Sequence, residues 1–250
     1  MNRFDQRNRR WRLVTILCAA MSLVAPAARA AVVVVPNSLA NVEGNSDNGF
    51  PFNIAAFGET SMRYQQVFAA SQFSALGGPQ SITAIAFRRN GSAPTFVSTL
   101  SNVQINLSTT AAAPDGLSIA FANNVGANDK VVFGPGPLTL SSSNNSGPPR
   151  SFDVIIALQS AFTYDPSAGN LLLDVRNIGG GSSEQFDAVF TGGDPVSRAF
   201  TLSGTVNNTS GQLDTLGLIA QFTTVAVPEP TTLTFLAVAP FVLLRRRRKP

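Results

Sequence analysis

The sequence predicts an all-β protein, an antiparallel β-sandwich of jelly-roll type. Residues 102–108, Asn-Val-Gln-Ile-Asn-Leu-Ser, alternate polar and apolar side chains without interruption, which is the period of a half-buried strand. Clusters of Gly, Pro, Asn and Ser separate the short apolar segments along the chain. Helical periodicity is confined to residues 69–75. Many short strands with frequent turns are typical of sandwiches and jelly rolls.

Nine segments have the apolar pattern of strands. They are residues 63–69, 82–87, 102–108, 131–133, 152–158, 171–176, 187–190, 196–202 and 216–225. Turn-forming clusters separate them, at residues 90–92, 114–116, 134–137, 144–149, 179–183 and 192–195. The last strand runs almost into Pro228, so we expect a very short linker after it.

The N-terminus has the three parts of a secretory signal peptide. Five arginines within residues 1–12 precede an apolar segment at residues 13–25, and Ala28-Arg29-Ala30 forms a small-residue site with cleavage before Ala31. Arg9-Arg10 leaves a twin-arginine route open. Arg12 stands where that motif needs an apolar residue, so we expect the Sec translocon and signal peptidase to handle the chain.

The C-terminus combines a short apolar segment with a block of cations. Residues 231–244 are 14 residues long; as a helix they extend roughly 21 Å, against about 30 Å for a hydrocarbon core. Arg245, Arg246, Arg247, Arg248 and Lys249 follow directly. By the positive-inside rule this block stays cytoplasmic, which predicts a short transmembrane helix. The alternative is a core strand with a solvated basic tail.

The terminal segments together resemble the PEP-CTERM sorting architecture of exopolysaccharide-producing Gram-negative bacteria: a signal peptide, then Pro228-Glu229-Pro230, a short apolar helix and an Arg cluster. In that family the tail is a temporary membrane anchor. An exosortase, a multi-spanning membrane cysteine transpeptidase, cuts it near the Pro-Glu-Pro motif. The resemblance implies that Pro228, Glu229 and Pro230 are the recognition motif. It also implies that Arg245, Arg246, Arg247 and Arg248 retain the tail in the inner membrane until the protein moves to the cell surface or outside.

This chain departs from the family pattern in the tail. The apolar segment is short, it contains Pro240, and Lys249-Pro250 follows the arginines. These differences weaken the predicted anchor. A segment that must hold only until cleavage can be a marginal one.

The basic composition belongs to the two ends of the chain. The whole sequence has 18 basic and 14 acidic residues. Residues 31–227 keep seven basic and twelve acidic residues, a net charge of −5. We therefore expect three regions, a signal peptide (1–30), a mildly acidic β domain (31–227) and a sorting tail (228–250). No basic patch remains in the β domain to bind nucleic acid.

The predicted β domain lacks the residue types of the commonest catalytic centres. The chain has no histidine, and its single cysteine, Cys18, lies in the signal peptide. Ser-His-Asp and Cys-His arrangements are therefore impossible, and histidine zinc sites are excluded. No phosphate-binding Gly motif is present. The sequence predicts neither a cofactor nor catalysis.

Carboxylates are the remaining route to an enzyme. A pair such as Glu184 and Asp187, or Asp165 and Asp174, could hydrolyse glycosides if the two carboxylates faced one another. Such acids are more often solvated loop or edge charges. A carboxylate-based glycoside hydrolase is the third alternative for function.

Two polar loops could bind calcium, although we expect no resident metal. Glu43 and Asp47 lie in Glu-Gly-Asn-Ser-Asp-Asn-Gly, which clusters oxygen ligands but does not match a known calcium-loop spacing. Asn123, Asn124, Asn128 and Asp129 form the second loop. Ordinary Asx turns are the alternative in both places.

Two further features bear on ligand binding. Tyr64 and Tyr164 could be stacking platforms for sugars or half-buried sheet residues. Arg88 and Arg89 would point to opposite faces of a strand, which predicts that one is partly buried or paired with an acid.

These observations favour an exported, non-catalytic protein of the cell surface or extracellular matrix, anchored briefly by its tail. The second hypothesis is a lectin-like module that binds a matrix exopolysaccharide.

Overall fold

The structure, a computed structural model, describes residues Ala30–Val227. Strands make up 49% of it and helix 11%, and its sheets are antiparallel, so the all-β prediction is confirmed and a β-sandwich is consistent with it. The predicted signal peptide and transmembrane helix lie outside the described residues.

Thirteen strands form within these residues. In chain order they are β1 (Ala30–Val35), β2 (Ser46–Asn48), β3 (Met62–Phe68), β4 (Gln80–Phe87), β5 (Phe96–Thr110), β6 (Lys130–Ser142), β7 (Val154–Tyr164), β8 (Asn170–Asn177), β9 (Phe186–Phe190), β10 (Val196–Phe200), β11 (Gln212–Asp214), β12 (Leu216–Leu218) and β13 (Ala220–Ala226). Short 3₁₀ helices occupy connections at Asn37–Leu39, Ile54–Phe57, Ala70–Leu76, Phe121–Asn124 and Pro166–Ala168.

The strands form three sheets. A four-stranded sheet has the order β1-β13-β4-β7, and a six-stranded sheet has the order β11-β10-β3-β8-β5-β6. A small sheet has the order β12-β9-β2. Every predicted strand segment overlaps an observed strand, although β5, β6 and β7 each extend six to nine residues beyond a predicted end.

The main core receives side chains from both larger sheets. On β13, Ala220, Phe222 and Thr224 are buried, while the residues between them are half-buried, as a period of two requires. Phe222 packs edge to face on Phe68 of β3, with ring centroids 5.0 Å apart. Because the contact joins the two larger sheets, it is part of what holds the fold together.

A second cluster covers the outer face of the six-stranded sheet. Val67, Leu117, Phe121, Leu172 and Ala199 pack there. Leu117 and Phe121 come from the connection between β5 and β6, which lies over the sheet. β3 is therefore covered on both faces, which explains why residues 63–69 show little polar alternation.

The predicted turn at residues 134–137 is wrong. Gly-Pro-Gly-Pro lies within β6, the edge strand of the six-stranded sheet, where a missing proline N–H costs no ladder bond. The β5–β6 pairing shifts register around Val103. Gly134 has φ +73°, and a Cβ there would lie 2.0 Å from the Val103 carbonyl oxygen. Glycine is therefore needed at this irregularity.

The predicted strand 216–225 is two strands in different sheets. Ile219 separates β12 from β13, and its N–H donates to the Asp187 carbonyl oxygen at 3.1 Å. Sequence patterns did not predict β1, β2 or β11. Two of these have only three residues, and the Ala-Val run of β1 does not alternate.

Two phenylalanines on β9 test the core. Phe186 is fully buried among Phe52, Phe87 and Phe96, whereas Phe190 is 56% exposed. Phe186→Ala should lower the free energy of unfolding by about 3–5 kcal/mol because it leaves a cavity. Phe190→Ala should change it by no more than about 0.5 kcal/mol. Urea denaturation measures both, and equal losses would contradict this packing.

Candidate functional site

The residues predicted for export divide between described and undescribed parts of the chain. Ala30 begins β1, and Ala31 pairs with Thr224 of β13. The remaining members lie outside the described residues: Ala28, Pro228, Glu229, Pro230, Arg245, Arg246, Arg247 and Arg248. No helix within Ala30–Val227 is long and apolar enough to cross a membrane.

The two calcium candidates line one surface cleft of about 530 Å³, which we call the acidic cleft. Its walls are residues 43–47 and the turn after β4, at Asn90 and Ser92. The Glu43 carboxylate accepts a hydrogen bond from the Gly91 N–H. Asp47 is exposed on β2. The structure therefore brings Glu43 and Asp47 to one surface, with Glu43 already engaged.

Metal binding receives no geometric support there. Among the residues that the structure describes, no group of three or more Asp, Glu, His or Cys side chains is arranged to hold a metal ion. In the loop that contains Glu43 and Asp47, Asn48 Oδ1 accepts a hydrogen bond from the Phe50 N–H at 2.9 Å. This is the Asx-turn geometry offered as the alternative.

The second polar loop is structural. Asn124 is buried and donates to Gln65 Oε1 at 2.9 Å. Asn128 accepts from the Thr109 N–H at 2.7 Å, and Asp129 accepts from Asn106 at 2.8 Å. These bonds tie the β5–β6 connection to the sheet below it.

The tyrosines cannot be stacking platforms. Tyr64 and Tyr164 are both fully buried. The Tyr64 hydroxyl donates to Gln66 Oε1 at 2.6 Å, and that of Tyr164 donates to the Gly169 carbonyl oxygen at 2.9 Å. Burial raises the pKa of both phenols. The sugar-stacking hypothesis for these two residues is wrong, because neither ring reaches the surface.

The carboxylates suggested as catalytic pairs have other partners. Asp187 accepts from Arg88, and Asp174 accepts from Arg63 and Gln65. Asp165 caps the helix Pro166–Ala168 by accepting from Ser167, which lowers its pKa. Neither suggested pair presents two free carboxylates to a common cleft.

Arg88 and Arg89 are both only 1% exposed, so burial is more complete than predicted. Arg88 Nε donates to Asp187 Oδ2 at 2.6 Å, and its terminal nitrogens donate to the carbonyl oxygens of Leu39, Ala40 and Val42. Burial raises the pKa of Asp187, while the Arg88 charge opposes that shift. The pair fixes the connection between β1 and β2.

Arg89 fixes a different connection, the one between β6 and β7. Its Nε donates to Ser142 Oγ at 3.0 Å, and a terminal nitrogen donates to the Asn144 carbonyl oxygen at 2.8 Å. Asp153 accepts from the N–H groups of Ser143 and Asn144, both at 3.0 Å. The start of this connection is therefore held from two sides.

That connection forms one wall of a second cleft of about 440 Å³, the Arg150 cleft. Its lining includes Val34 of β1, Gln221 of β13, Asn41, Arg150, Ser151 and Phe152. Arg150 donates to the carbonyl oxygens of Ser146 and Gly91. No acidic residue is among the residues that line it. Sequence reasoning missed this cleft, because its walls come from four segments that are distant in sequence.

Asp194 has an unusual environment in the turn between β9 and β10. Its Oδ1 accepts from the Val196 N–H at 2.9 Å, while its buried Oδ2 has no hydrogen-bond partner among the described residues. Asp115 lies close by and accepts from the Gly193 N–H at 2.8 Å. Burial, with the Asp115 charge, raises the pKa of Asp194 to about 6.

No protein-family model matches the chain, and no curated protein sequence matches it either. Function is therefore inferred from the chain's own residues and geometry. Within the described residues, the acidic cleft and the Arg150 cleft are two surface features that could receive a ligand.

Asp187→Asn should destabilise the protein. The variant leaves the Arg88 charge buried without its counter-charge, which costs about 3–5 kcal/mol. Asp47→Asn is the matched control, because Asp47 lies opposite Asp187 in the β2–β9 pairing but is exposed. It should change the free energy of unfolding by about 0.5 kcal/mol or less. Similar losses in urea denaturation for both variants would contradict the assigned role of the ion pair.

The raised pKa of Asp194 gives a pH dependence with a defined sign. The folded state holds this proton more tightly than the unfolded state. Its contribution to stability is therefore complete below about pH 4, the unfolded pKa, and is lost as pH rises through about 6. Asp194→Asn removes the titrating carboxyl and therefore this loss. We expect the Tm of the variant, relative to the wild-type Tm at the same pH, to be a few degrees higher at pH 8 than at pH 4.

Asp165→Asn is the contrasting control for this profile. The pKa of Asp165 is lowered, so its contribution is present above the unfolded pKa and is lost as pH falls. Asp165→Asn should therefore have a lower Tm than the wild type at pH 8. Calorimetric melting at both pH values compares the two, and parallel profiles would contradict the Asp194 assignment.

Proposed function

We propose that this chain is an exported, non-catalytic protein of a Gram-negative-type cell surface or extracellular matrix, sorted by its C-terminal tail. The observation that carries the proposal is the order of Pro228-Glu229-Pro230, a short apolar segment and Arg245, Arg246, Arg247 and Arg248, behind the predicted signal peptide. Its processing partners would be signal peptidase and an exosortase-type enzyme.

The ends of the described fold support this proposal. β1 pairs with β13 in antiparallel register, with Ala31 opposite Thr224. β13 ends at Ala226, so one residue, Val227, precedes Pro228. The two proposed cuts would thus remove at most one residue, Ala30, from the described strands. Tail removal would leave the sheets and their core intact.

We infer that the sandwich is a jelly roll. Two interlocked Greek keys build a jelly roll from eight strands in two sheets. The orders β1-β13-β4-β7 and β3-β8-β5-β6 support that topology, because the first and last strands pair in one sheet and successive strands largely alternate between sheets. β10 and β11 extend the second sheet beyond β3.

Absence of catalysis is proposed from the residue types. The chain has no histidine, and the predicted mature domain has no cysteine. Its buried acids Asp174 and Asp187 are each bound to an arginine. These ion pairs favour a structural role for the two acids over a role in acid–base catalysis.

Carbohydrate binding is the second candidate function. The Arg150 cleft favours it, because one open surface combines amide, hydroxyl and guanidinium groups with the ring of Phe152. Its volume of about 440 Å³ is within the usual range of about 300–1,000 Å³ for ligand clefts. A polysaccharide of the surrounding matrix is the proposed partner.

Mass spectrometry of the mature termini tests the proposed export and sorting. The outer-surface fraction should contain a chain that begins at Ala31 and ends between Val227 and Pro230. A chain that retains its four tail arginines in the inner membrane, with none released, would overturn the sorting proposal.

Two kinds of tail variant distinguish recognition of the Pro-Glu-Pro motif by the processing enzyme from retention of the chain in the membrane. Replacing Pro228, Glu229 and Pro230 by alanine should trap the uncut chain in the membrane. Replacing the four arginines by serine should instead release uncut chain early, because positive charge near the membrane surface would be lost. Replacement by lysine is the matched control and should preserve retention. Wild-type processing of the alanine variant would exclude the motif as the recognition element.

A further inference from the structure

Arg150 forms no ion pair with an acid of the described chain. Arg63, Arg88 and Arg198 each form an ion pair, with Asp174, Asp187 and Asp214 respectively. No such pair includes Arg150 among residues 30–227. Its guanidinium is instead oriented by two neutral acceptors, the carbonyl oxygens of Ser146 and Gly91. A fixed guanidinium without a counter-charge attracts an anionic group, above all a planar carboxylate.

The wall around Arg150 has unused hydrogen-bonding capacity. Arg150 Nε and Ser151 Oγ are buried and have no hydrogen-bond partner within the described chain. Buried polar atoms without a partner cost free energy, so the chain itself leaves these two groups beside the cleft unsatisfied. Asn41 and Gln221 add two amides to the same cleft. Amides and hydroxyls both donate and accept, as the hydroxyl groups of a sugar do.

An aromatic ring supplies the apolar part of the lining. The guanidinium of Arg88 lies over the Phe152 ring, 4.8 Å from its centroid. Phe152 also lines the cleft, together with Val34 and Pro149. Since Arg88 is held by the buried pair with Asp187, the ring is supported from behind. A rigid ring beside amides and hydroxyls matches a ligand with one apolar face and a polar perimeter.

The cleft is also pre-organised. Arg89 and Asp153 fix residues 142–144, at the start of the connection that carries Arg150. The Gly91 carbonyl oxygen accepts from Arg150, while the Gly91 N–H donates to Glu43 of the acidic cleft. Side chains held in this way lose little conformational entropy when a ligand binds.

We propose that the Arg150 cleft binds an acidic saccharide, with a uronic-acid carboxylate on Arg150. The sugar hydroxyls would bond to Asn41 and Gln221, and the apolar face of the sugar ring would lie against Phe152. The inference rests on the carbohydrate-binding function proposed above. It adds the charge of the sugar and the residue that binds the charged group. It is independent of how the tail is processed.

A direct test compares two matched oligosaccharides. The protein recovered from cells is titrated with glucuronic-acid tetrasaccharide and with the glucose tetrasaccharide of the same linkage, by isothermal calorimetry. We expect the acidic form to bind at least about tenfold more tightly, because a charge-assisted hydrogen bond is lost in the neutral form. The advantage should shrink as salt rises from 0.05 to about 0.5 M.

Variants assign the binding to this cleft. Arg150→Gln should abolish the preference for the acidic sugar, and Arg150→Lys should restore part of it by charge alone. Asn41→Ala should weaken acidic and neutral sugars alike, without removing the preference. Asp47→Asn in the acidic cleft is the matched control and should leave binding unchanged. Melting curves verify that each variant is folded.

Each alternative result has a distinct meaning. Equal affinity for the acidic and neutral sugars would overturn the role of Arg150 while keeping carbohydrate binding. A preference that survives Arg150→Gln would place the site elsewhere and overturn the assignment. No binding of either sugar, or binding only of a peptide with a free C-terminal carboxylate, would overturn the saccharide proposal itself. None of these results would alter the export proposal, which the mature termini test.

Discussion

The buried ion pair between Arg88 and Asp187 is the interaction on which the surrounding structure depends. Both side chains are only 1% exposed, and an unpaired charge at that depth costs several kcal/mol. Asp187 also accepts from the Gly44 N–H, and its carbonyl oxygen accepts from Ile219 at the junction of two sheets. The pair therefore joins the end of β4, the strand β9, the β12–β13 junction and the connection that leads to β2.

The two surface clefts follow from this arrangement. Residues 40 and 41 line one cleft and residues 43–47 line the other, so the segment bound by Arg88 separates them. One cleft has two acids, and the other has a cation without an acid. This division of charge is the physical basis for proposing an acidic ligand on one side only. A domain with a net negative charge can still have a local surface where a cation is the dominant charge.

Local patterns predicted the strands well where one face is polar, as at residues 102–108 within β5. They failed where a neighbour decides the outcome. Gly134 and Pro135 lie in a strand because β6 is an edge with an irregular register. Tyr64 is buried because it lies on the face of β3 that packs into the main core, and no local pattern reports that. The acids Asp174 and Asp187 look like surface charges in sequence, yet their arginine partners lie about 100 residues away along the chain.

The sequence by itself determined the all-β class, the excess of basic residues at the two ends, and the residue types that chemistry in this chain could use. These properties depend on composition and on short-range order, which a linear pattern contains. Only the tertiary structure decided which arginines are neutralised, that Tyr64 and Tyr164 are inaccessible, and that Asn41, Gln221 and Arg150 share a cleft. Those outcomes depend on contacts between distant segments, and such contacts form only when the whole sheet arrangement brings the segments together.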